Sequence, residues 1–202
     1  MKKIVVAADS FKGSLDSKSI ASAFSKAAEK SEDVLVVGFG VSDGGEGSVD
    51  VLAESCGFQK RSAEVAGPLG SVIKAEFAVK NGIAAIETAA ASGLTLIPYS
   101  EHNALKTTTY GTGELVMRAL GEGAREILLF AGGSATNDGG AGALSAMGFR
   151  FMDNSGEEFV PTGGTLKNIS SVKLPSDNLF SEVSFKVLSD VTNPLLGRFG
   201  AT

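Results

Sequence analysis

The 202-residue chain contains one cysteine and one histidine. A single thiol, Cys56, excludes an internal disulfide framework and any multi-cysteine zinc site. A single imidazole, His102, excludes a histidine-rich metal cage and weakens any Ser-His-Asp arrangement. Long apolar runs are missing too. None much exceeds the stretch at 127–131, against the roughly 20 residues of a membrane span. The N-terminus turns apolar at Ile4, but Asp9 interrupts the run too early for a signal peptide. Positive charge is scarce: 18 Lys+Arg stand against 23 Asp+Glu, a net charge of −5. That balance lacks the field that nucleic acid or an anionic membrane requires, so neither is expected as a partner. A soluble cytoplasmic protein is expected.

What is abundant is glycine. The chain has 26, close to twice the usual share of about 7 %. They cluster in short loops between apolar strands and helical stretches. Residues 3–8 and 34–37 read as β-branched buried strands. Ile20, Ala21, Phe24, Ala27 and Ala28 recur at helical spacing, and Val49, Leu52 and Ala53 open a second helix ending at Gly57. Strand, loop and helix repeated twice is the signature of a parallel sheet. The pattern then changes. Residues 61–66, 71–79 and 83–88 read as strands of an antiparallel meander, joined by the GPLG turn at 67–70 and by Asn81-Gly82, a strong hairpin signal. A domain boundary is therefore expected near residue 58. Beyond it, residues 89–94 read as a turn or short helix, 114–120 as a helix and 126–130 as a strand. Residues 142–147 read as a helix, 149–152 with 158–160 as a hairpin, and 184–188 as a late strand. The end of the chain reads as a βα unit cut in the middle, as in a fragment of a longer protein.

Four loops share one design: DSFKGS at 9–14, DGGEG at 43–47, GTGE at 111–114 and GGSATNDGG at 132–140. A helix N-terminus presents unpaired N–H groups and partial positive charge. Glycines let the backbone approach a phosphate, and Ser134, Thr136 and Thr112 could add hydroxyl donors. No Walker A loop and no G-x-G-x-x-G fingerprint is present. Each of the first, second and fourth loops holds a charged side chain: Asp9 and Lys12, Asp43 and Glu46, and Asp138. Asp190 ends the last strand. Carboxylates at strand C-termini sit where open α/β sheets bind ligands, and Mg2+ is held by one or two carboxylates plus substrate phosphates. The competing reading is that Asp makes turns and N-caps, which is preferred for Asp16 and Asp50. Lys12 suits a phosphate, or else a solvated surface. His102 reads as an exposed loop residue, Cys56 as packing, and Met117, Met147 and Met152 as core.

Taken in order, DSFKGSL at 9–15, DGGEG at 43–47, GPLG at 67–70, ETAAASGL at 87–94, TTYGTGEL at 108–115, GGSATNDGGAG at 132–142 and DVTNPL at 190–195 closely resemble the bacterial glycerate kinases of the first type. The resemblance implies ATP-dependent, Mg2+-assisted phosphorylation of D-glycerate, leaning towards 2-phosphoglycerate. It implies an α/β fold of two domains, here a flavodoxin-like (Rossmann-like) segment at 1–58 and an incomplete mixed-sheet domain at 59–202, with the active site between them. Members of that family run to roughly twice this length.

Phosphoryl transfer asks mainly for positioning and charge neutralisation. On that basis Lys12 and the 132–140 loop are expected to bind phosphate or the glycerate carboxylate. Ser10, Gly132, Gly133, Ser134, Thr136, Asn137, Thr112, Gly113 and Asn193 are the other candidate binding residues. Asp43 and Asp138 are expected to hold Mg2+. Asp190 is expected to orient or deprotonate the attacking hydroxyl, with Asp9 able to exchange roles with it. A catalytically incomplete fragment, or an anion- or nucleotide-binding module without transfer chemistry, are the alternatives. A homo-oligomer is left open.

Overall fold

The structure is a computed structural model that describes residues 2–9, 11, 14–31, 33–176, 179–189, 191–194 and 196–200. β1 (Lys2–Ala8), α1 (Ser17–Ala28) and β2 (Val34–Gly40) form the first unit, in which β1 and β2 pair in parallel from Lys2↔Val34 to Ala8↔Gly40. Asp16 caps α1 as expected, its Oδ1 accepting the Ser19 N–H at 2.6 Å. α2 (Ser48–Cys56) follows, and the expected boundary at residue 58 falls between it and β3 (Gln59–Ala66).

β3, β4 (Val72–Lys80) and β5 (Ile83–Glu87) run antiparallel in sequence. The β4–β5 turn uses Asn81 and Gly82, both with positive φ (49° and 79°), the geometry that tight hairpins demand and that Asn-Gly tolerates. α3 (Thr88–Ser92), α4 (Tyr110–Gly121) and β6 (Glu126–Phe130) come next, then α5 (Ala141–Ala146), β7 (Arg150–Met152), β8 (Glu158–Phe159), β9 (Ser171–Lys173) and β10 (Ser184–Leu188). Strands β7, β8 and β9 make a small antiparallel sheet. The main sheet is mixed, in the order β10-β6-β5-β4-β3, with β5, β6 and β10 mutually parallel.

One face of this sheet is covered by a cluster that includes Phe77, Ile86, Ile127 and, from α4, Leu115 and Ala119. The other face packs Ala78, Ala85 and Phe130 against Val49 and Leu52 of α2. α2 thus lies on the early side of residue 58 while packing on the later sheet. Met147 and Met152 are buried and Met117 packs against the core, as expected. Cys56, expected to pack, is exposed at the end of α2. Among the described residues no helix is long and apolar enough to cross a membrane.

α4 starts four residues before the expected helix at 114–120. The GTG run at 111–113 lies inside the helix rather than in a loop ahead of it. Its glycines serve packing: a Cβ on Gly111 would strike the Ala66 carbonyl, and one on Gly113 the Ala143 carbonyl. The two helices α4 and α5 therefore meet backbone to backbone.

Candidate active site

The parallel strands end together. Glu87 of β5 stands opposite Phe130 of β6, which stands opposite Leu188 of β10, so their following loops gather at one edge, where α/β sheets bind ligands. The loop after β6 lies at the centre. Ala131 N–H donates to the Leu188 carbonyl (3.1 Å), Leu94 N–H to Gly133 (3.0 Å) and Ala135 N–H to Ser92 (2.8 Å). The 43–47 loop, which leads into α2, reaches the same place: Gly132 N–H donates to the Gly44 carbonyl at 3.4 Å. A Cβ on Gly132 would stand only 2.8 Å from the Gly45 Cα, so this close approach needs glycine.

Between these loops opens a cleft of about 720 Å3, lined by Asp43 and Glu46 on one side and Gly132, Gly133, Ser134, Thr136 and Asn137 on the other. A second cavity of about 710 Å3 shares Asp43, Glu46 and Gly133 with it and adds Asp9. Ser134 Oγ and Thr136 Oγ1 are 2.7 Å apart, and the Thr136 N–H donates to Ser134 Oγ at 3.0 Å, which fixes the shape of the loop. Asp43 is exposed, with Oδ1 accepting the Gly45 N–H at 2.9 Å.

Three helix N-termini, those of α1, α2 and α5, are already occupied by carboxylates of the chain itself. Asp16 fills that of α1. Glu87 fills that of α2, accepting the Val49 N–H at 2.7 Å. Asp138 fills that of α5. Its Oδ1 accepts the Gly140 N–H (3.0 Å), while Oδ2 accepts the N–H of Gly142 (3.1 Å) and both the N–H and the hydroxyl of Thr109 (2.8 and 2.9 Å). Thr108 Oγ1 approaches Oδ2 to 3.4 Å. An N-terminus satisfied in this way has little left for an incoming phosphate, so the anion cradle falls to the irregular backbone at 132–137.

The expected site residues therefore divide. Asp43, Gly132, Gly133, Ser134, Thr136 and Asn137 come together in the cleft. Asp9 lines the adjoining cavity. Asp138 is 1 % exposed, with both oxygens engaged, and does not face the cleft as a metal ligand would. Thr112 is buried in α4 with its hydroxyl 2.8 Å from that of Ser92, and Gly113 is a helix contact, so neither reaches the cleft. Asn193 is exposed and donates from Nδ2 to the Phe199 carbonyl (3.3 Å). Ser10, Lys12 and Asp190 lie outside the described residues; Ser189 and Val191, the neighbours of Asp190, line the cleft.

Two residues carry more than their sequence context suggested. His102 is exposed as expected but stands on the cleft wall, its Nε2 3.0 Å from the Ile97 carbonyl. Glu87 is 8 % exposed, and burial pushes its carboxyl above the ordinary glutamate value, with Asp50 and Glu46 adding to the shift and the Val49 N–H opposing it. The available signal was an acid standing alone between IAAI and TAAAS.

Among the described residues lining the cleft there is no lysine or arginine. Nor do the described residues include a group of three His, Cys, Asp or Glu side chains able to hold a metal alone. Such a site suits a hard cation brought in with phosphates and held by one or two carboxylates. Asp43 and Glu46 fit that donor set; Asp138 does not.

Comparison with known proteins agrees in one direction. A family described as "Glycerate kinase family" matches residues 4–202. A glycerate kinase of Bacillus cereus is 43 % identical over 99 % of this chain and 54 % of its own length. A glycerate 2-kinase of Escherichia coli K12 is 41 % identical, with the same shares. A crystal structure from Salmonella typhimurium LT2, provisionally assigned as glycerate kinase 2, superposes with a TM-score of 0.83 at 40 % identity, covering 98 % of this chain and 54 % of that one. The chain spans about half the length of the curated relatives it matches.

Proposed function

The chain belongs to the glycerate kinase family, and from that premise we propose that the protein carrying it transfers the γ-phosphoryl group of ATP to a hydroxyl of D-glycerate in the cytoplasm. The product we assign is 2-phosphoglycerate, following the name of the Escherichia coli relative. The observation that supports this most is the meeting of an acidic loop, Asp43 to Gly47, with a backbone cradle, 132–137, at the carboxyl ends of three parallel strands.

In this reading the peptide groups and hydroxyls at 132–137 hold the anionic ends of the substrates. Asp43, with Glu46 beside it, faces the triphosphate across the cleft. Bound Mg2+ supplies neutralisation of the phosphate oxygens, which the described lining lacks in cationic side chains. Asp190, or Asp9 in its place, takes the proton of the attacking hydroxyl as the new O–P bond forms and the bond to the β-phosphate oxygen breaks, releasing ADP. Lys12 and Ser10 keep their proposed phosphate role from their place in the DSFKGS loop. Asp138 takes an architectural role, holding the 108–109 turn to α5, in place of the metal role expected for it.

A coupled assay for ADP release that depends on both D-glycerate and ATP tests the activity, and 31P NMR identifies the product. ADP release without dependence on D-glycerate would contradict the reading.

A further inference from the structure

Glu87 is a buried acid that the transfer chemistry above does not use. It is the last residue of β5, paired with Phe130, and Phe130 directly precedes the turn into the 132–137 cradle. Its side chain crosses to a separate part of the fold. Oε1 accepts the Val49 N–H in the first turn of α2 at 2.7 Å. The Asp43–Gly47 loop is the segment that leads into this turn. One carboxylate therefore joins the strand pair that launches the backbone cradle to the helix that carries the acidic loop, and Gly45 and Gly132 touch just beyond it.

We propose that Glu87 is a positioning residue that clamps the acidic loop against the 132–137 cradle through the N-terminus of α2, without touching substrate. The proposal rests on the cleft being the kinase site. A carboxylate suits the task because it answers the positive end of the helix with a charge-assisted bond. It also keeps that end from capturing a substrate phosphate. Glu46 and Asp50 are its charge neighbours from the α2 side, and the cavity it borders is lined as well by Asp9, Asp16, Asp43, and Lys74 and Glu76 of β4.

The test is NMR on the 202-residue chain, comparing wild type, Glu87→Gln and Glu87→Ala. In wild type the Val49 amide proton should lie downfield and move upfield on acidification, with an inflection above the usual glutamate range. Glu87→Gln should abolish that titration while keeping the nuclear Overhauser contact between the α-protons of Gly45 and Gly132. Glu87→Ala should weaken that contact at least twofold while amides of β4 stay protected from exchange, and should weaken binding of Mg-ATP about tenfold, with Glu87→Gln restoring most of it. An unchanged Gly45–Gly132 contact in Glu87→Ala, or a Val49 titration that persists in Glu87→Gln, overturns the clamp. If Glu87→Ala does not fold, the Glu87→Gln titration decides alone. Failure of wild type to bind Mg-ATP would instead count against the cleft reading and leave the Glu87–Val49 coupling standing.

Discussion

Asp138 Oδ2 accepts the Thr109 N–H at 2.8 Å across 29 residues of sequence, and Thr109 Oγ1 in turn accepts the Ala143 N–H at 2.9 Å. The acid in the glycine-rich 132–140 loop is thus a tie between the starts of α4 and α5. Asp138→Ala should destabilise the chain by at least about 3 kcal/mol, because each buried donor left unpaired costs about 1–3 kcal/mol. Urea denaturation reads this as a lower midpoint at unchanged slope. A loss below about 1 kcal/mol, with metal binding impaired instead, would return Asp138 to the metal role.

Gly113→Ala should cost about 1–3 kcal/mol by overpacking, since the new methyl meets the Ala143 carbonyl. Gly121→Ala, in the same helix, meets nothing within 4 Å and should be neutral or stabilising by about 0.4–1 kcal/mol. Thermal unfolding of the pair separates a packing glycine from a phosphate-binding one, which would tolerate Ala without loss of stability.

This pair also marks how far the residues could be read in advance. The Asn81-Gly82 hairpin, the Asp16 cap and the gathering of Asp43 with 132–137 were legible, because turns and caps are local and strand C-termini are where ligands collect. GTG at 111–113 was not. A glycine that loosens a loop and one that lets two helices touch look alike until the partner backbone is in place. Asp138 misled for the same reason, and Glu87 passed unread. Whether an acid serves a ligand or the chain's own N–H groups depends on partners 29 and 38 residues away.

Asp43→Asn should leave stability within about 0.5 kcal/mol, as an exposed substitution does. It should lower phosphoryl transfer by the protein carrying this chain on the order of 10²-fold, comparable to loss of one charge-stabilising group in a transition state. The loss should deepen when Mg2+ is limiting. Wild-type turnover in the ADP-release assay would remove Asp43 from the site.

The pH dependence of stability should carry the mark of Glu87. Its folded-state pKa lies above the unfolded value, with burial the main cause, so the folded state binds the proton more tightly. Its contribution is then most favourable below the ordinary glutamate value of 4.5 and declines as pH rises through the folded pKa. Glu87→Gln cannot ionise, so the stability difference between variant and wild type should shift in favour of the variant as pH rises through that window. Parallel denaturation curves across pH 4 to 8 check the sign; a difference independent of pH would contradict it.

The most direct measurement is amide mapping of the 202-residue chain on addition of Mg-ATP and then D-glycerate. The largest shifts should fall on Gly45 and on residues 132–137, while the amides of Val49 and Gly142, already bonded to Glu87 and Asp138, should move little. Shifts centred on the N-termini of α2 and α5, with the 132–137 cradle silent, would contradict the account.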